Sequence, residues 1–237
     1  MKFSTMDLCQ ELLTSIEELG FETPTPVQEE VIPFLLKNTT DLIALAQTGT
    51  GKTGAYGLPI LEKIDRNNPK TQALILCPTR ELCIQLAQDL KCFSNRIPSI
   101  KILPVYGGTD IKTQLPILAH GVQIVVATPG RMHDILQRRK ANFSAIKHVV
   151  LDEADEMLNM GFEEDLKGIL SNVPANAQTL LFSATMPQEV AHIASNYMKT
   201  PHDITIGSRN ATTDLVRHEV MVIHAKDRYQ ALGSVII

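Results

Sequence analysis

The stretch Ala46-Gln47-Thr48-Gly49-Thr50-Gly51-Lys52-Thr53 decides the fold, because it joins an apolar run to an amphipathic one. A glycine-rich turn between a strand and a helix is typical of a phosphate-binding P-loop. Its glycines let backbone N–H groups surround phosphate oxygens, and the N-terminus of the following helix adds positive potential. We expect Lys52 to reach the β- and γ-phosphates of a nucleotide and Thr53 to ligate Mg²⁺. The general pattern opens with glycine, and Ala46 stands there instead.

Short apolar runs alternate with longer amphipathic stretches on both sides of this loop. The runs are rich in Ile, Leu and Val and mostly continuous, which is typical of strands buried on both faces of a parallel sheet. Strands are expected over 41–46, 72–77, 101–105, 123–127, 148–151, 179–182 and 202–206, and helices over 26–37, 52–65, 80–94, 110–119, 131–139, 162–171 and 187–198. The alternation predicts an α/β fold with a mostly parallel central sheet and helices on both faces.

Length and composition limit the function classes. A chain of 237 residues, 44% hydrophobic with net charge −4, suits one large domain or one domain plus a fragment. The hydrophobic content excludes a disordered chain, and the net charge excludes a chain that is basic over its whole surface. Any nucleic-acid site must therefore occupy a limited part of the surface. No apolar run reaches the length of a membrane span, and the N-terminus lacks the apolar core of a signal peptide, so we expect a cytoplasmic protein with no membrane partner. Four cysteines without a Cys-x-x-Cys pair predict reduced thiols.

A composition change marks a domain boundary near residue 207. The segment 207–219 is small and polar, as in a linker, and follows a main domain over 1–206. After it, 220–224 reads as a strand and 228–237 as the opening of a helix. We therefore expect 220–237 to be the truncated start of a second domain.

A second chemical motif is the acidic stretch that follows the predicted strand at 148–151. A carboxylate there lies at the carboxyl edge of the sheet, where ligands bind in open α/β folds. Asp152 would hold Mg²⁺ and Glu153 would orient or deprotonate the attacking water. Two acids after a strand also suit a helix N-terminal cap. Combined with the P-loop lysine Lys52, they predict a nucleoside-triphosphate hydrolase site.

Further motifs make the likeness to one family specific. Asp152-Glu153-Ala154-Asp155 resembles the signature of the DEAD-box ATP-dependent RNA helicases. The other motifs stand in that family's order: 20–28 (Gly-Phe-Glu-Thr-Pro-Thr-Pro-Val-Gln), the P-loop, 78–82 (Pro-Thr-Arg-Glu-Leu), Gly107-Gly108, Thr128-Pro129-Gly130-Arg131 and Ser183-Ala184-Thr185. The match covers nearly all of 3–206, and the family normally carries alanine at the position of Ala46. The resemblance implies a RecA-like N-terminal domain that binds ATP, Mg²⁺ and RNA.

The resemblance also assigns the base of the nucleotide. The Gln28 amide can accept from adenine N6 and donate to N7, a match guanine does not offer, which implies ATP over GTP. Phe3 stands where the family has an isolated aromatic near the adenine, although a lone N-terminal Phe also suits a core position. Phe21 belongs to the same segment, and we expect it to pack mainly in the core.

Three loops are similar to the family's RNA groove, and each would otherwise read as ordinary loop chemistry. Each follows a predicted strand, so small residues and helix N-termini can approach phosphates while two arginines add charge. They are Pro78, Thr79 and Arg80; Gly107 and Gly108; and Thr128, Pro129, Gly130 and Arg131. The absence of Trp and the 5% aromatic content favour contacts to phosphate and ribose over base stacking.

The motif Ser183-Ala184-Thr185 resembles the family element that links hydrolysis to strand separation, with Asp155 as its expected partner. The hydroxyls could equally cap the helix predicted from 187.

In the family a second RecA-like domain supplies an arginine finger, and we expect only the start of that domain, at 220–237, within the chain. We expect the 237 residues alone to hydrolyse ATP and unwind RNA very little. The resemblance also allows accessory protein partners. Two alternatives remain open: an ATP-gated RNA clamp or scaffold, and a P-loop ATPase acting on protein or small-molecule partners.

Overall fold

A computed structural model describes residues 2–207 and His224. Most of the predicted linker, 207–219, and of the predicted second-domain segment, 220–237, therefore lies outside the described residues. Among those that are described, no helix has both the length and the apolar character needed to cross a bilayer.

Seven strands in the described residues form one sheet, and every neighbouring pair runs parallel. They are β1 (Leu42–Leu45), β2 (Ala73–Leu76), β3 (Ile102–Val105), β4 (Ile124–Ala127), β5 (His148–Asp152), β6 (Gln178–Ser183) and β7 (His202–Thr205). Their order across the sheet is β3-β4-β2-β5-β6-β1-β7. All seven predicted strands are confirmed to within one residue at each end.

Helices connect the strands and cover both faces of the sheet. They are α1 (Gln10–Glu18), α2 (Pro26–Lys37), α3 (Lys52–Lys63), α4 (Arg80–Phe93), α5 (Ile111–His120), α6 (Pro129–Gln137), α7 (Ala154–Asn159), α8 (Glu163–Leu170) and α9 (Gln188–Tyr197), preceded by a 3-10 turn at Phe3–Thr5. One apolar core lies between the sheet and α1 to α4. The other lies under α5 to α9. The α/β class with a parallel sheet between two helical layers is confirmed.

Three details differ from the sequence prediction. The structure adds α1 and α7, which the prediction left out. The helix predicted from 131 begins at Pro129, because Thr128 is its N-cap and proline suits the first helical position. Pro187 is the N-cap of α9 and lies one residue before the helix. The predicted start at Asp110 is confirmed, since its carboxylate accepts from the Lys112 backbone N–H at 2.9 Å.

The carboxyl ends of parallel strands share one edge of a sheet, and every predicted motif that follows a strand lies on that edge. The strand order divides it in two. The loops after β3, β4 and β2 occupy one half, and those after β5, β6 and β1 occupy the other. The predicted RNA loops belong to the first half and the predicted nucleotide motifs to the second.

Candidate nucleotide site and nucleic-acid interface

The P-loop follows β1 and leads directly into α3 at Lys52. Gly49 and Gly51 have φ values of +75° and +90°, a left-handed backbone region that glycine adopts without steric cost. Gly51 is the N-cap of α3, and the Thr50 hydroxyl donates to the Gln47 carbonyl at 2.8 Å. The loop is therefore a preformed turn with the N-terminus of a helix behind it, as phosphate binding requires.

Lys52 is the buried cation of this loop. Its side chain is almost enclosed, and Nζ donates to the Ala46 carbonyl across the loop at 3.3 Å. Burial raises the pKa of Asp152, and the charge of the Lys52 ammonium opposes that rise. Lys52 therefore places a positive charge between the glycine turn and the acidic motif, where phosphate oxygens would meet it.

Asp152 ends β5 with a carboxylate that is only 3% exposed. Its Oδ2 accepts from the Tyr56 phenol at 2.9 Å, whereas its Oδ1 is buried with no hydrogen-bond partner among the described residues. Burial raises the pKa of Asp152, and Lys52 and Tyr56 act against that rise. A buried carboxylate oxygen without a partner is costly, so it suits a bound cation or a cation-bound water. The residues present therefore fit Mg²⁺.

Glu153 adopts a backbone that glutamate rarely takes. Its φ of 54° and ψ of 53° are left-handed, and it is the N-cap of α7. Such a conformation costs about 1–3 kcal/mol in a residue other than glycine and is concentrated at functional sites. Burial, then the charge of Asp152, raises the pKa of its carboxyl, while Lys52 lowers it. A raised pKa suits a general base.

A cavity of about 620 Å³ opens above these groups. Gln28, Gly51, Lys52, Asp152 and Glu153 are among the residues that line it, and its size is within the range of small-molecule sites. The Gln28 amide is already bound on both sides: Oε1 accepts from the Thr25 N–H and Nε2 donates to the Gly51 carbonyl, each at 3.0 Å. The residue expected to select the base is thus connected directly to the P-loop.

The two predicted aromatics lie on the wall of this cavity in different environments. Phe3 is 6% exposed and belongs to the apolar core under α1 to α4. Phe21 is 50% exposed, so the expectation that it packs in the core is wrong. Its ring lies 6.2 Å from that of Phe93, tilted by 54°. Phe21 follows α1 and lines the cavity with a half-exposed ring.

The three predicted RNA loops lie side by side at the ends of β3, β4 and β2. The loops at 78–80 and 128–131 are helix N-termini: Thr79 caps α4 by accepting from Leu82 at 3.2 Å, and Thr128 is the N-cap of α6. The Arg80 guanidinium lies 5.0 Å from the centre of the Tyr106 ring, which precedes Gly107 and Gly108. Two helix N-termini and two arginines thus share one face, as phosphate binding requires.

A family model for the DEAD/DEAH box helicase matches residues 25–193. The chain belongs to this family. It is 44% identical to the DEAD-box ATP-dependent RNA helicase CshA of Streptococcus pneumoniae, over 98% of this chain and 44% of that protein. It is 48% identical to the ATP-dependent RNA helicase CshA of Limosilactobacillus reuteri, over 91% of this chain and 43% of that protein. The chain thus spans less than half the length of these relatives.

The fold agrees with a solved member of the DEAD/DEAH box family. The crystal structure of a DEAD box protein from the hyperthermophile Methanococcus jannaschii superposes with a TM-score of 0.84 at 37% identity. It covers all of this chain and 63% of the other. The RecA-like α/β class predicted from the sequence is confirmed.

Within this DEAD/DEAH box domain, Ser183-Ala184-Thr185 reaches the acidic motif as expected. The Asp155 carboxylate accepts from the Thr185 N–H and hydroxyl at 2.9 and 2.7 Å, and the Asp155 N–H donates to the Ser183 hydroxyl at 3.3 Å. Burial raises the pKa of Asp155, but these hydrogen bonds outweigh it and leave the pKa below its usual value. Ala184 is exposed between the two hydroxyl residues. The alternative, a side-chain cap on α9, is not formed.

Sequence reasoning missed Gln114 as part of the loops of this DEAD/DEAH box domain. Its side chain is 6% exposed and donates to the Tyr106 carbonyl at 3.2 Å and the Thr109 hydroxyl at 3.0 Å. Its Oε1 accepts from Arg131 at 3.1 Å, and the Thr109 carbonyl accepts from Arg131 at 2.9 Å. Gln114 therefore joins the loop after β3 to the loop after β4. Gln114 follows the Asp110 cap by one helical turn, and this spacing was the sequence signal that it lies close to the loop after β3.

Proposed function

We propose that the chain is the N-terminal ATP-binding domain of an ATP-dependent RNA helicase. The observation that carries the proposal is the division of one sheet edge into two ligand halves. Lys52, Asp152 and Glu153 gather at the cavity in one half, and the loops with Arg80 and Arg131 lie in the other. A nucleoside-triphosphate site beside a basic, small-residue surface suits ATP-dependent work on a nucleic-acid backbone.

The roles of the nucleotide residues follow from their surroundings. Residues 46–53, the P-loop, bind the phosphates, and Lys52 neutralises their charge. Gln28 selects adenine by exchanging its bond to Gly51 for bonds to the base, with Phe3 and Phe21 on the cavity wall. Bound Mg²⁺ would neutralise charge on the phosphates, and Thr53 and Asp152 are the residues that would hold it. Glu153 orients the attacking water and accepts its proton.

RNA is the proposed second ligand, held by its sugar and phosphate groups. The N-termini of α4 and α6 present Thr79 and Gly130 with their neighbouring N–H groups, and Arg80 and Arg131 add charge. Gly107 and Gly108 allow a close approach of the chain, while the 2′-hydroxyl is the feature that distinguishes RNA from DNA. Asp155, Ser183, Ala184 and Thr185 form the proposed link between hydrolysis and RNA remodelling.

A second RecA-like domain, beginning within 220–237 after a linker at 207–219, is the proposed intramolecular partner, and accessory proteins are the proposed further partners. We place the protein in the cytoplasm, because the four thiols of Cys9, Cys77, Cys83 and Cys92 are free and suit a reducing compartment.

Strand displacement of a short RNA duplex by the full-length protein tests the proposal. ATP turnover should rise on adding RNA, and Glu153→Gln should abolish turnover and displacement while retaining ATP binding. Glu156→Gln, at an exposed position directly after the motif, is the matched control and should retain both activities. Hydrolysis that survives Glu153→Gln would refute the mechanism, and ATP-dependent clamping without displacement would refute the helicase assignment.

A further inference from the structure

Tyr56 is a buried phenol that touches the proposed magnesium site. It lies in α3, one helical turn after Thr53, and its side chain is completely buried. Its hydroxyl donates to Oδ2 of Asp152 at 2.9 Å. The ring packs against Phe182 of β6 with centroids 5.1 Å apart and an interplanar angle of 58°. Core packing therefore holds the phenol in one orientation while its hydroxyl reaches the acidic motif.

The hydrogen bond makes the two oxygens of the Asp152 carboxylate different. Oδ2 is occupied by the phenol, whereas Oδ1 is buried and has no partner in the part of the chain that the structure describes. With Oδ2 fixed, the carboxylate cannot rotate freely, so the direction of Oδ1 is fixed as well. Only one oxygen is left for a cation or for a water that a cation holds.

We propose that Tyr56 is a positioning residue for Mg²⁺, which fixes Asp152 so that Oδ1 alone faces the ion. The inference rests on the proposed function, since it assumes that Asp152 and Thr53 hold the metal. Thr53 precedes Tyr56 by one helical turn in α3, so the phenol lies on the helix face of one proposed ligand while its hydroxyl bonds the other. Partners of this kind set the orientation of a metal ligand, and their loss weakens metal affinity.

A purely structural role is the competing explanation, because a buried phenol needs some hydrogen-bond partner. The two explanations differ in what Tyr56→Phe changes. A structural role predicts lower stability with unchanged magnesium dependence. A positioning role predicts a changed magnesium dependence at temperatures where the variant is fully folded.

The test is a magnesium titration of nucleotide binding by the 237-residue chain, followed with a fluorescent ADP analogue. Tyr56→Phe removes one oxygen and should raise the Mg²⁺ concentration at half-saturation by roughly tenfold, the lower end of the range for such partners. Binding of the analogue in EDTA should not change, because no P-loop contact is lost. Tyr197→Phe, a half-buried tyrosine at the end of α9 on the opposite side of the sheet, is the matched control and should match the wild type.

The possible outcomes test the positioning role of Tyr56 and the proposed function separately. A Tyr56→Phe midpoint equal to that of the wild type would overturn the positioning role while leaving the magnesium site intact. Wild-type binding that does not depend on Mg²⁺ at all would instead refute the proposed function on which the inference rests.

A second measurement covers the case in which Tyr56→Phe does not fold. The wild-type chain labelled with 3-fluorotyrosine has four tyrosines, whose ¹⁹F resonances are assigned with Phe variants of the other three. Adding Mg²⁺ to the ADP-saturated protein should shift the Tyr56 resonance, and adding ADP alone in EDTA should not. The absence of a magnesium-specific shift at Tyr56 would overturn the proposal.

Discussion

The amide nitrogen of Gln28 lies 2.7 Å from the point where a Cβ on Gly54 would stand. Gly54 is the third residue of α3, and no left-handed backbone makes glycine necessary there. Its lack of a side chain instead leaves space for the group proposed to recognise adenine. Gly54 of α3 therefore affects the proposed recognition of the base through the space it leaves for the Gln28 amide.

Gly54→Ala should reduce nucleotide selectivity without unfolding the protein. Alanine favours the helix by about 1 kcal/mol, which offsets the loss of one Gln28 hydrogen bond of similar size. The displaced amide should lower the affinity for ATP about tenfold and the affinity for GTP much less, as expected for a bidentate contact worth about 1–3 kcal/mol. Competition between ATP and GTP for the labelled ADP site measures the ratio.

Gly57→Ala, one turn further along α3, is the control for this experiment. Its Cβ would stand 2.7 Å from Cδ2 of Leu90 in the packed core, so stability should fall by about 1–3 kcal/mol. The preference for ATP should persist in that variant. If Gly54→Ala also kept the full preference, Gln28 would not be the residue that reads the base.

Thr185→Val should separate hydrolysis from unwinding. The substitution keeps the shape and the backbone bond to Asp155 but removes the 2.7 Å hydroxyl bond, at a cost of about 1–2 kcal/mol in the free energy of unfolding. We expect ATP turnover by the full-length protein to change little and the number of duplexes displaced per ATP to fall severalfold.

The matched control is Thr113→Val, whose hydroxyl bonds the Asp110 carbonyl at 2.7 Å on the exposed start of α5. It should leave displacement per ATP unchanged. Equal losses of turnover and displacement in Thr185→Val would show that the residue supports the site as a whole and not the link between the two activities.

Gln114→Leu and Arg131→Gln should weaken RNA binding in two distinguishable ways. Both should lower the affinity for single-stranded RNA, since Gln114 holds the arginine in place. Only Arg131→Gln removes a charge, so only it should reduce the slope of log affinity against log salt, by about one. Gln137→Leu, at the exposed end of α6, should change neither quantity. A reduced slope in Gln114→Leu would contradict the positioning role.

His148, a buried histidine outside the candidate site, makes the free energy of unfolding depend on pH. Burial, then the charge of Lys63, lowers the pKa of His148 to about 4. Above about pH 6.5 the imidazole is neutral in both folded and unfolded chains, so it adds no pH dependence there. Between pH 6.5 and 4 only the unfolded state takes up the proton, and the free energy of unfolding falls by up to about 3 kcal/mol.

Urea unfolding of wild type and His148→Gln across this pH range checks the prediction. The variant should lose stability more slowly as the pH falls, so the two curves should converge toward pH 4. His120→Gln, at the exposed end of α5, should follow the wild type. Parallel curves for wild type and His148→Gln would mean that the buried imidazole is not the group that titrates.

The strands and most helices were predictable because each is marked by local chemistry: continuous apolar runs, a cap at Asp110, a glycine turn before Lys52. Helix α7 was missed because it has six residues, too few to show a period. Phe3 and Phe21 are each a single aromatic in a short segment, and such a pattern does not show which of them is enclosed. Phe3 joins the core under α1 to α4, whereas Phe21 meets Phe93 and stays half exposed.

The members of the site were predictable where a motif names them, whereas the residues that support them were not. Tyr56 lies three positions after Thr53, on the same helix face, which was the signal for a contact near the P-loop. The bond to Asp152, 96 residues away, depends on β5 lying beside β6, whose Phe182 packs against the Tyr56 ring. Contacts between residues so far apart in the sequence depend on the order of the strands in the sheet, and the local sequence pattern does not reveal that order.

The pairing of β2 with β5 bears on the binding free energies of the two proposed ligands. Leu76 pairs with Leu151, so the strand that leads to Thr79 is adjacent to the strand that leads to Asp152. One interstrand spacing, about 4.8 Å, therefore separates the supports of the two proposed ligands. Free-energy linkage between binding sites is reciprocal, so any factor by which one of these proposed ligands tightens binding of the other must hold equally in the reverse direction. The two proposed binding sites of this domain are therefore carried by directly neighbouring strands.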